Sequence, residues 1–309
     1  MADAYLTAAQ VAHFNKTDMD LLVSDVLNQA PVLAALSART VRGNSFVYTR
    51  QTAAPAVGFR AVNDGVENKK STYEKKTISL GVLDASFGVD VAAAQVDERG
   101  WEHSMGIEAM SHLSQAMSEF EQQILNGTVG NVATDAFDGF ADQTNLQAGG
   151  SMLVDAGGTT ASTGSSVYLI RSGEGDVQAL FGQEGEIAIG DLQVLERAGS
   201  ATGRFPAYYH SITGWSGVTI GSSYSVARVA NLTADSGKGC TDALLYQGLE
   251  LFPASRPPNL IAMSRRSLRQ LQNSRTSYNP IGTPSLLPSE LEGIPIITTD
   301  SISNTETLL

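Results

Sequence analysis

The sequence has one cysteine, Cys240, and only four histidines among its 309 residues. A single cysteine cannot form an internal disulfide, and this usage is typical of a chain that matures in a reducing cytoplasm. Basic residues are also scarce, because 20 lysines and arginines stand against 32 acidic residues and leave a net charge of -12. Binding to nucleic acid without regard to sequence depends on cations that neutralise phosphates, so this balance favours protein partners.

Long apolar runs and export signals are lacking as well. The first residues, MADAYLTAAQVAHF, have no basic region followed by an apolar stretch, and no uninterrupted apolar run is long enough to span a bilayer. We therefore expect a soluble chain that is neither exported nor bound to a membrane. With 42% hydrophobic and 17% charged residues, it has enough apolar material for one large or two modest domains.

One glycine pattern raises the question of a nucleotide site. The stretch SSVYLIRSGEGDVQALFG predicts a strand, a turn with Gly173 and Gly175, and the start of a helix. A dinucleotide fingerprint needs a third glycine where Gln178 stands, and the acidic residues Glu174 and Asp176 put negative charge where a phosphate would bind. The pattern therefore favours a tight turn and predicts no cofactor.

Catalytic and metal-binding patterns are scarce too. His103 and His112 lie on opposite faces of a predicted helix, so they cannot share a metal ion through local spacing. GWSG is not a nucleophile elbow, because Val218 occupies the position of the required glycine. The acidic stretch around Gly139 lacks ligands at positions that a calcium loop requires. We predict no catalytic residue and no metal site.

The longest periodic pattern predicts a helix of unusual length. We expect it to run from an N-cap at Asp97 to Asn126 and to stop at Gly127, over about 45 Å. Before it, a β excursion returns through a polar tip, NDGVENKKSTYEKK, and a two-stranded ribbon of this kind needs another surface to lie against. The residues of the helical stripe recur every three or four positions: Trp101, Met105, Ala109, Leu113, Met117, Phe120 and Ile124.

The order of these parts resembles that of a tailed-phage major capsid protein of the Hong-Kong-97 type. It begins with a helical arm whose apolar stripe is interrupted at Pro31, followed by the β-loop and by a spine helix ending in ILNG. The stretches SVYLIRSGEGDVQALFG, GRFPAYYHSITGWSGVTIGSSYSVARVANL and LEGIPIITTDSISNTETLL are most similar to shell proteins of short-tailed phages. The resemblance covers nearly the whole chain.

The resemblance implies an α+β fold with four parts. These are an N-terminal arm (1–44), an extended β-loop (45–91), a peripheral domain with the spine helix (92–128 and 252–309) and an axial domain (129–251). In such proteins the turn with Gly173 and Gly175 belongs to the axial domain, which meets its neighbours around a capsomer.

The implied function is that of a structural major capsid protein without enzymatic activity. It would self-assemble into hexamers and pentamers of an icosahedral head that encloses double-stranded DNA without sequence-specific binding. A separate scaffolding protein and a portal are the implied partners, with assembly in the host cytoplasm and a place in the virion. The sequence leaves open whether a cementing protein binds outside the shell. An encapsulin-like compartment is the first alternative, which a cargo-binding pocket would favour, and a soluble hydrolase is the second, which a nucleophile–base pair would favour.

The charged tip of the β-loop supplies the candidate inter-subunit contacts. Its three acids and four lysines give it a charge of +1 and leave -13 on the rest of the chain. Exposed ion pairs contribute about 0.2 to 1 kcal/mol each, so we expect these residues to guide docking and register. Some relatives join a loop lysine to a neighbour's asparagine, but no partner asparagine stands out and we predict no cross-link. The candidates are Asp64, Glu67, Lys69, Lys70, Glu74, Lys75 and Lys76.

Overall fold

A computed structural model describes residues 30–67, 69–127, 136–185, 187–198, 203–277 and 283–309. Most of the expected N-terminal arm (1–44) therefore lies outside the described residues.

The described residues contain five helices. They are α1 (Pro31–Ala35), α2 (Val91–Ala94), α3 (Trp101–Asn126), α4 (Asp242–Glu250) and α5 (Arg265–Ser277). The strands are, in chain order, β1 (Ser37–Thr40), β2 (Ser45–Ala53), β3 (Thr72–Ser79), β4 (Gly81–Asp84), β5 (Phe87–Asp90), β6 (Leu153–Asp155), β7 (Ser165–Ile170), β8 (Val177–Phe181), β9 (Ala188–Ile189), β10 (Gln193–Ala198), β11 (Arg204–His210), β12 (Ile212–Ile220), β13 (Val226–Leu232), β14 (Leu260–Met263), β15 (Glu290–Leu291) and β16 (Ile294–Thr298).

Two larger sheets form the body of the molecule. A six-stranded sheet has the order β15-β16-β14-β7-β13-β6, and a five-stranded sheet has the order β1-β8-β12-β4 with β9 also paired to β12. A three-stranded sheet, β10-β11-β5, and the separate β2–β3 ribbon complete the architecture. The pairing joins β14 to β7 and β8 to β1. The four expected parts, with their boundaries and their peripheral and axial roles, stay a prediction.

The core lies where both sheets meet the second half of α3. The strand sequences SSVYLI, VARVANL and LIAM are buried at every residue, as expected for strands that are covered on both faces. One apolar cluster includes Val167 and Leu169 from the six-stranded sheet, Val177 from the five-stranded sheet, and Phe120 and Ile124 from α3. The helix stripe therefore connects the two sheets through its second half.

The long helix begins later than the sequence predicts. Gly100 is its N-cap and Trp101 its first residue, so the expected N-cap at Asp97 is wrong. The Asp97 carboxylate is buried below the first turn, where it accepts hydrogen bonds from the Arg99 amide and the Ser104 hydroxyl and lies 3.0 Å from His103 Nδ1. Burial raises the pKa of Asp97, but these hydrogen bonds outweigh it and leave the pKa below its usual value. The predicted end at Gly127 is confirmed, with φ at +58°.

The glycine turn is followed by a strand, which makes the predicted helix start wrong. The sequence VQALF forms β8, whose first four residues are buried between β1 and β12. Because Gly182 follows this strand directly, the segment has no room for a helix of useful length.

Within the described residues, the chain passes directly from one larger sheet to the other twice, and these two crossings touch. Residues 171–176 lead from β7 to β8, and residues 221–225 lead back from β12 to β13. A Cβ atom added at Gly221 would lie 2.0 Å from the carbonyl oxygen of Gly175, which is far inside van der Waals contact. Only glycine fits at position 221 without moving one of the two backbones.

We predict that Gly221→Ala destabilises the fold by about 1 to 3 kcal/mol, as overpacked sites do. Gly214→Ala is the matched control, because a Cβ at Gly214, inside β12, meets nothing within 4 Å. Chemical denaturation of both variants measures the difference. Equal stabilities would contradict the packing described for the two crossings.

Candidate inter-subunit contact surfaces

The β2–β3 ribbon carries three strongly exposed apolar side chains at the end farthest from its base. The two strands pair from Ser45 with Ser79 to Ala53 with Thr72, and the tip is formed by residues 54–67 and 69–71. Val57 and Val62 are each 89% exposed and Phe59 is fully exposed. Nothing else in the described part of the chain covers these three side chains, which we call the tip cluster.

The charged candidates do not form one cluster. Asp64, Glu67, Lys69 and Lys70 lie at the tip, where Lys69 Nζ is 3.4 Å from Glu67 Oε2. Glu74 lies on β3 and pairs across the ribbon with Arg50 at 3.2 Å. Lys75 and Lys76 lie farther along β3 and line a cavity of about 460 Å³ between the ribbon and the body. Four of the seven thus lie in the tip segment and three on β3, and the shown contact among the tip residues is the Glu67–Lys69 pair.

The base of the ribbon is attached to the five-stranded sheet. The Tyr48 hydroxyl donates a hydrogen bond of 2.8 Å to the carbonyl of Ile220, the last residue of β12. Burial raises the pKa of this hydroxyl. Phe46 packs beside Tyr48 on the same strand, and the Arg39 guanidinium lies 4.9 Å from the centre of the Phe46 ring. The base of the ribbon is therefore fixed to the body, whereas its tip is uncovered.

The first half of α3 borders an apolar groove. Its volume is about 440 Å³, and the lining includes Trp101, Met105, Met110 and Leu113 from α3 with Ile189 and Leu192 opposite. Met110 is 76% and Leu113 40% exposed, whereas Met105 in the same half of the helix is buried, so the predicted stripe is uncovered at Leu113 and not along its whole first half. Soluble monomers seldom leave contiguous apolar side chains of this kind in water. The sequence does not reveal this surface, because Met110 lies outside the predicted stripe and a stripe pattern cannot distinguish a covered residue from an open one.

A buried glutamate fixes the second half of the same helix. Glu121 is fully buried and accepts hydrogen bonds from the Val32 amide at 2.7 Å, the Leu33 amide at 2.9 Å and the Thr299 hydroxyl. The two amides belong to α1, where the described part of the arm begins, and Thr299 follows β16. One carboxylate thus joins the arm, the long helix and the C-terminal strand.

Chemistry-bearing clusters are scarce in the described ranges. Within them, no group of three or more His, Cys, Asp or Glu side chains could hold a metal ion. Burial raises the pKa of the Cys240 thiol to about 12, which keeps it protonated at neutral pH. None of the helices described is long and apolar enough to cross a membrane.

Solved structures of bacteriophages share this fold. The capsid protein of bacteriophage Epsilon15 matches with a TM-score of 0.68 and 16% identity, over 100% of this chain and 98% of that chain. The capsid of bacteriophage JBD30 matches with a TM-score of 0.52 and 13% identity, over 96% of this chain and 99% of that chain. A JBD30 capsid decorated with minor capsid protein trimers matches with a TM-score of 0.54 and 12% identity, over 96% of this chain and 99% of that chain. No curated protein sequence matches the chain.

These likenesses show an α+β fold of the Hong-Kong-97 type, and the expected fold class is confirmed. The model of the family "Major capsid protein GP7" matches residues 23–309, and the chain belongs to that family. It is therefore a structural capsid protein of a tailed phage, and its place is the virion shell. The family match favours the phage shell over the encapsulin-like alternative.

We predict that Glu121→Ala lowers the free energy of unfolding by about 2 to 3 kcal/mol, because two buried amides and a hydroxyl lose a charged acceptor. Glu119→Ala is the control, since Glu119 lies two residues away on the exposed face and accepts only a long bond of 3.3 Å from Gln115. Thermal or chemical unfolding measures both. Equal losses would contradict the role given to Glu121.

Proposed function

We propose that the chain assembles through its ribbon into hexamers and pentamers, which close into an icosahedral head around double-stranded DNA. The observation that carries this proposal is a pair of uncovered apolar surfaces on one molecule, the tip cluster and the groove beside α3. Two such surfaces at different places on a subunit suit a head-to-tail contact, in which each copy gives its tip and receives another. Contacts of this type close into rings when the rotation between copies allows it.

Charge supports the same pairing. The tip is basic overall, with Arg60, Lys69 and Lys70 against Asp64 and Glu67. Glu102 lines the groove, and Asp191 directly precedes the groove residue Leu192. A basic tip that approaches an acidic rim gains in encounter rate and register more than in affinity. Burial of the tip cluster supplies the affinity, because the removal of apolar surface from water is favourable.

The ion pairs made by the basic residues of α5 favour a capsid wall that binds its DNA weakly. Arg265 pairs with Asp300 at 2.6 Å and Arg275 pairs with Asp242 at 2.7 Å, so two of its guanidiniums are already neutralised within the chain. With a net charge of -12, the subunit has little attraction for phosphates. This charge distribution suits a container for DNA. We take that container to have no enzymatic activity.

The remaining partners are proposed on the same basis. A separate scaffolding protein and a portal belong to the proposed assembly, and the trimers on the decorated JBD30 capsid support a cementing protein. Glu174 and Gly175 are exposed at the tip of the glycine turn, which supports its role in contacts around a capsomer axis. Lys75 and Lys76, near the body, would set the register of the ribbon against its neighbour.

We predict that Phe59→Ser leaves the circular dichroism spectrum of the monomer unchanged and strongly reduces shell assembly. The reason is that Phe59 is fully exposed in the single chain and gains a contact only with a neighbour. Light scattering and sedimentation of the full chain, with scaffold supplied, follow the assembly. Leu286→Ser is the control, because Leu286 is also exposed, at 89%, but lies outside the ribbon and the groove.

Met110→Asp tests the other half of the contact, because it places a charge in the groove. It should reduce assembly to a similar extent, whereas Leu286→Ser should not. If Phe59→Ser and Met110→Asp both assemble at the rate and yield of the unmodified chain, the proposed contact is wrong.

A further inference from the structure

The place where the chain crosses between the two larger sheets is tied by polar contacts. Residues 171–176 and 221–225, together with Arg256 and Asn259, form what we call the crossover junction. The amide of Gly221 donates to the carbonyl of Asp176 at 2.9 Å, and the amide of Arg171 donates to the carbonyl of Ser225 at 2.9 Å. The outgoing and returning crossings are thus hydrogen-bonded to each other.

The Asp176 carboxylate is the centre of this junction. It is 3% exposed and accepts hydrogen bonds from Arg171 Nε at 2.6 Å and Ser225 Oγ at 2.9 Å. Arg256 donates to its two oxygens at 3.3 and 3.5 Å. The three donors belong to the outgoing crossing, the returning crossing and the segment between α4 and β14. Asp176 therefore points inward between two guanidiniums, and its charge is already compensated within the fold.

A second set of bonds brings the start of β1 to the same place. The Ser172 amide donates to Asn259 Oδ1 at 2.8 Å, and Asn259 Nδ2 donates back to the Ser172 carbonyl at 2.7 Å. The Ser37 amide donates to Ser172 Oγ at 2.7 Å. On the opposite side, the ribbon base is attached at Ile220, one residue before the returning crossing. The junction thus lies between the six-stranded sheet and the base of the projecting ribbon.

These polar contacts differ from apolar packing because hydrogen bonds require particular distances and angles. An apolar interface tolerates small shifts and substitutions of similar volume, whereas a charged hydrogen bond is short and has a preferred geometry. A change in the angle between the sheets would lengthen several of the bonds to Asp176 at once. The junction therefore restricts the sheets to a narrow range of relative orientations.

We propose that Asp176 is a positioning residue that sets the curvature of the assembled shell. The inference rests on the proposed function, in that it requires copies of the chain to form closed shells. In such a shell the rotation that relates neighbours determines whether and at what size the assembly closes. Asp176 contributes to that rotation by fixing how the ribbon base is held relative to the six-stranded sheet.

The test is electron microscopy of shells assembled from the full-length Asp176→Asn variant. We expect the single diameter of the unmodified shells to be replaced by several diameters or by open sheets, because the neutral amide cannot hold both guanidiniums. Asp242→Asn is the matched control. This substitution also removes a carboxylate that is paired with an arginine. Asp242 lies on α4 and its partner Arg275 lies on α5, so the pair is away from the crossings. Its shells should keep the unmodified diameter.

The outcomes separate this inference from the proposed function. If the unmodified chain forms no shells, the proposed function fails first. If it does, and Asp176→Asn gives shells of the same diameter and yield, or Asp242→Asn changes the diameter equally, the inference is overturned. Should Asp176→Asn fail to fold by circular dichroism, Arg256→Gln replaces it, since that side chain is 42% exposed and leaves the Arg171 pair intact. Unchanged shells from Arg256→Gln would then overturn the inference.

Discussion

The buried carboxylate of Glu121 is the interaction on which the arrangement of the subunit depends. Its three donors come from α1 and from the residue after β16, so it holds segments 89 and 178 residues away against the long helix. A charged acceptor in an apolar core is stable only while all its donors are in place. Glu121 therefore fixes both where the arm leaves the body and which face of α3 enters the core.

The consequence of that anchoring is a helix with two different halves. The second half, around Phe120 and Ile124, is buried between the sheets, whereas the first half leaves Met110 and Leu113 open to water. The ribbon shows the same division, with a base attached through Tyr48 and an uncovered tip. A monomer that leaves apolar surface in two places is incomplete by itself. In the proposed assembly, this uncovered apolar surface is the physical basis of association with other copies.

The sequence predicts well those elements whose signals are local. The long helix, its end at Gly127 and the two-stranded ribbon follow from periodicity and a C-terminal glycine. The Asp97 N-cap was wrong because an acid before a helix also suits a buried hydrogen-bonding position. The strand β8 does not follow from the sequence, because the five residues VQALF are too few to show whether their periodicity is that of a strand or of a helix.

Features that depend on distant partners could not be predicted in this way. Glu121 reads as one more solvated glutamate on a helix, because its donors are far away in the sequence. The domain boundaries depend on strand pairing, which no local pattern reveals. The charged residues of the loop predict contacts at Lys69 and its neighbours. In three dimensions, the feature that distinguishes the tip is the uncovered side chain of Phe59.

The measurement that tests the account most directly is a cryo-electron microscopy map of shells assembled from the full chain. The account predicts closed shells in which the tip of each ribbon, with Phe59, lies in the groove between α3 and Leu192 of the adjacent subunit. Shells in which the tip stays in solvent, or in which another segment fills that groove, would contradict it.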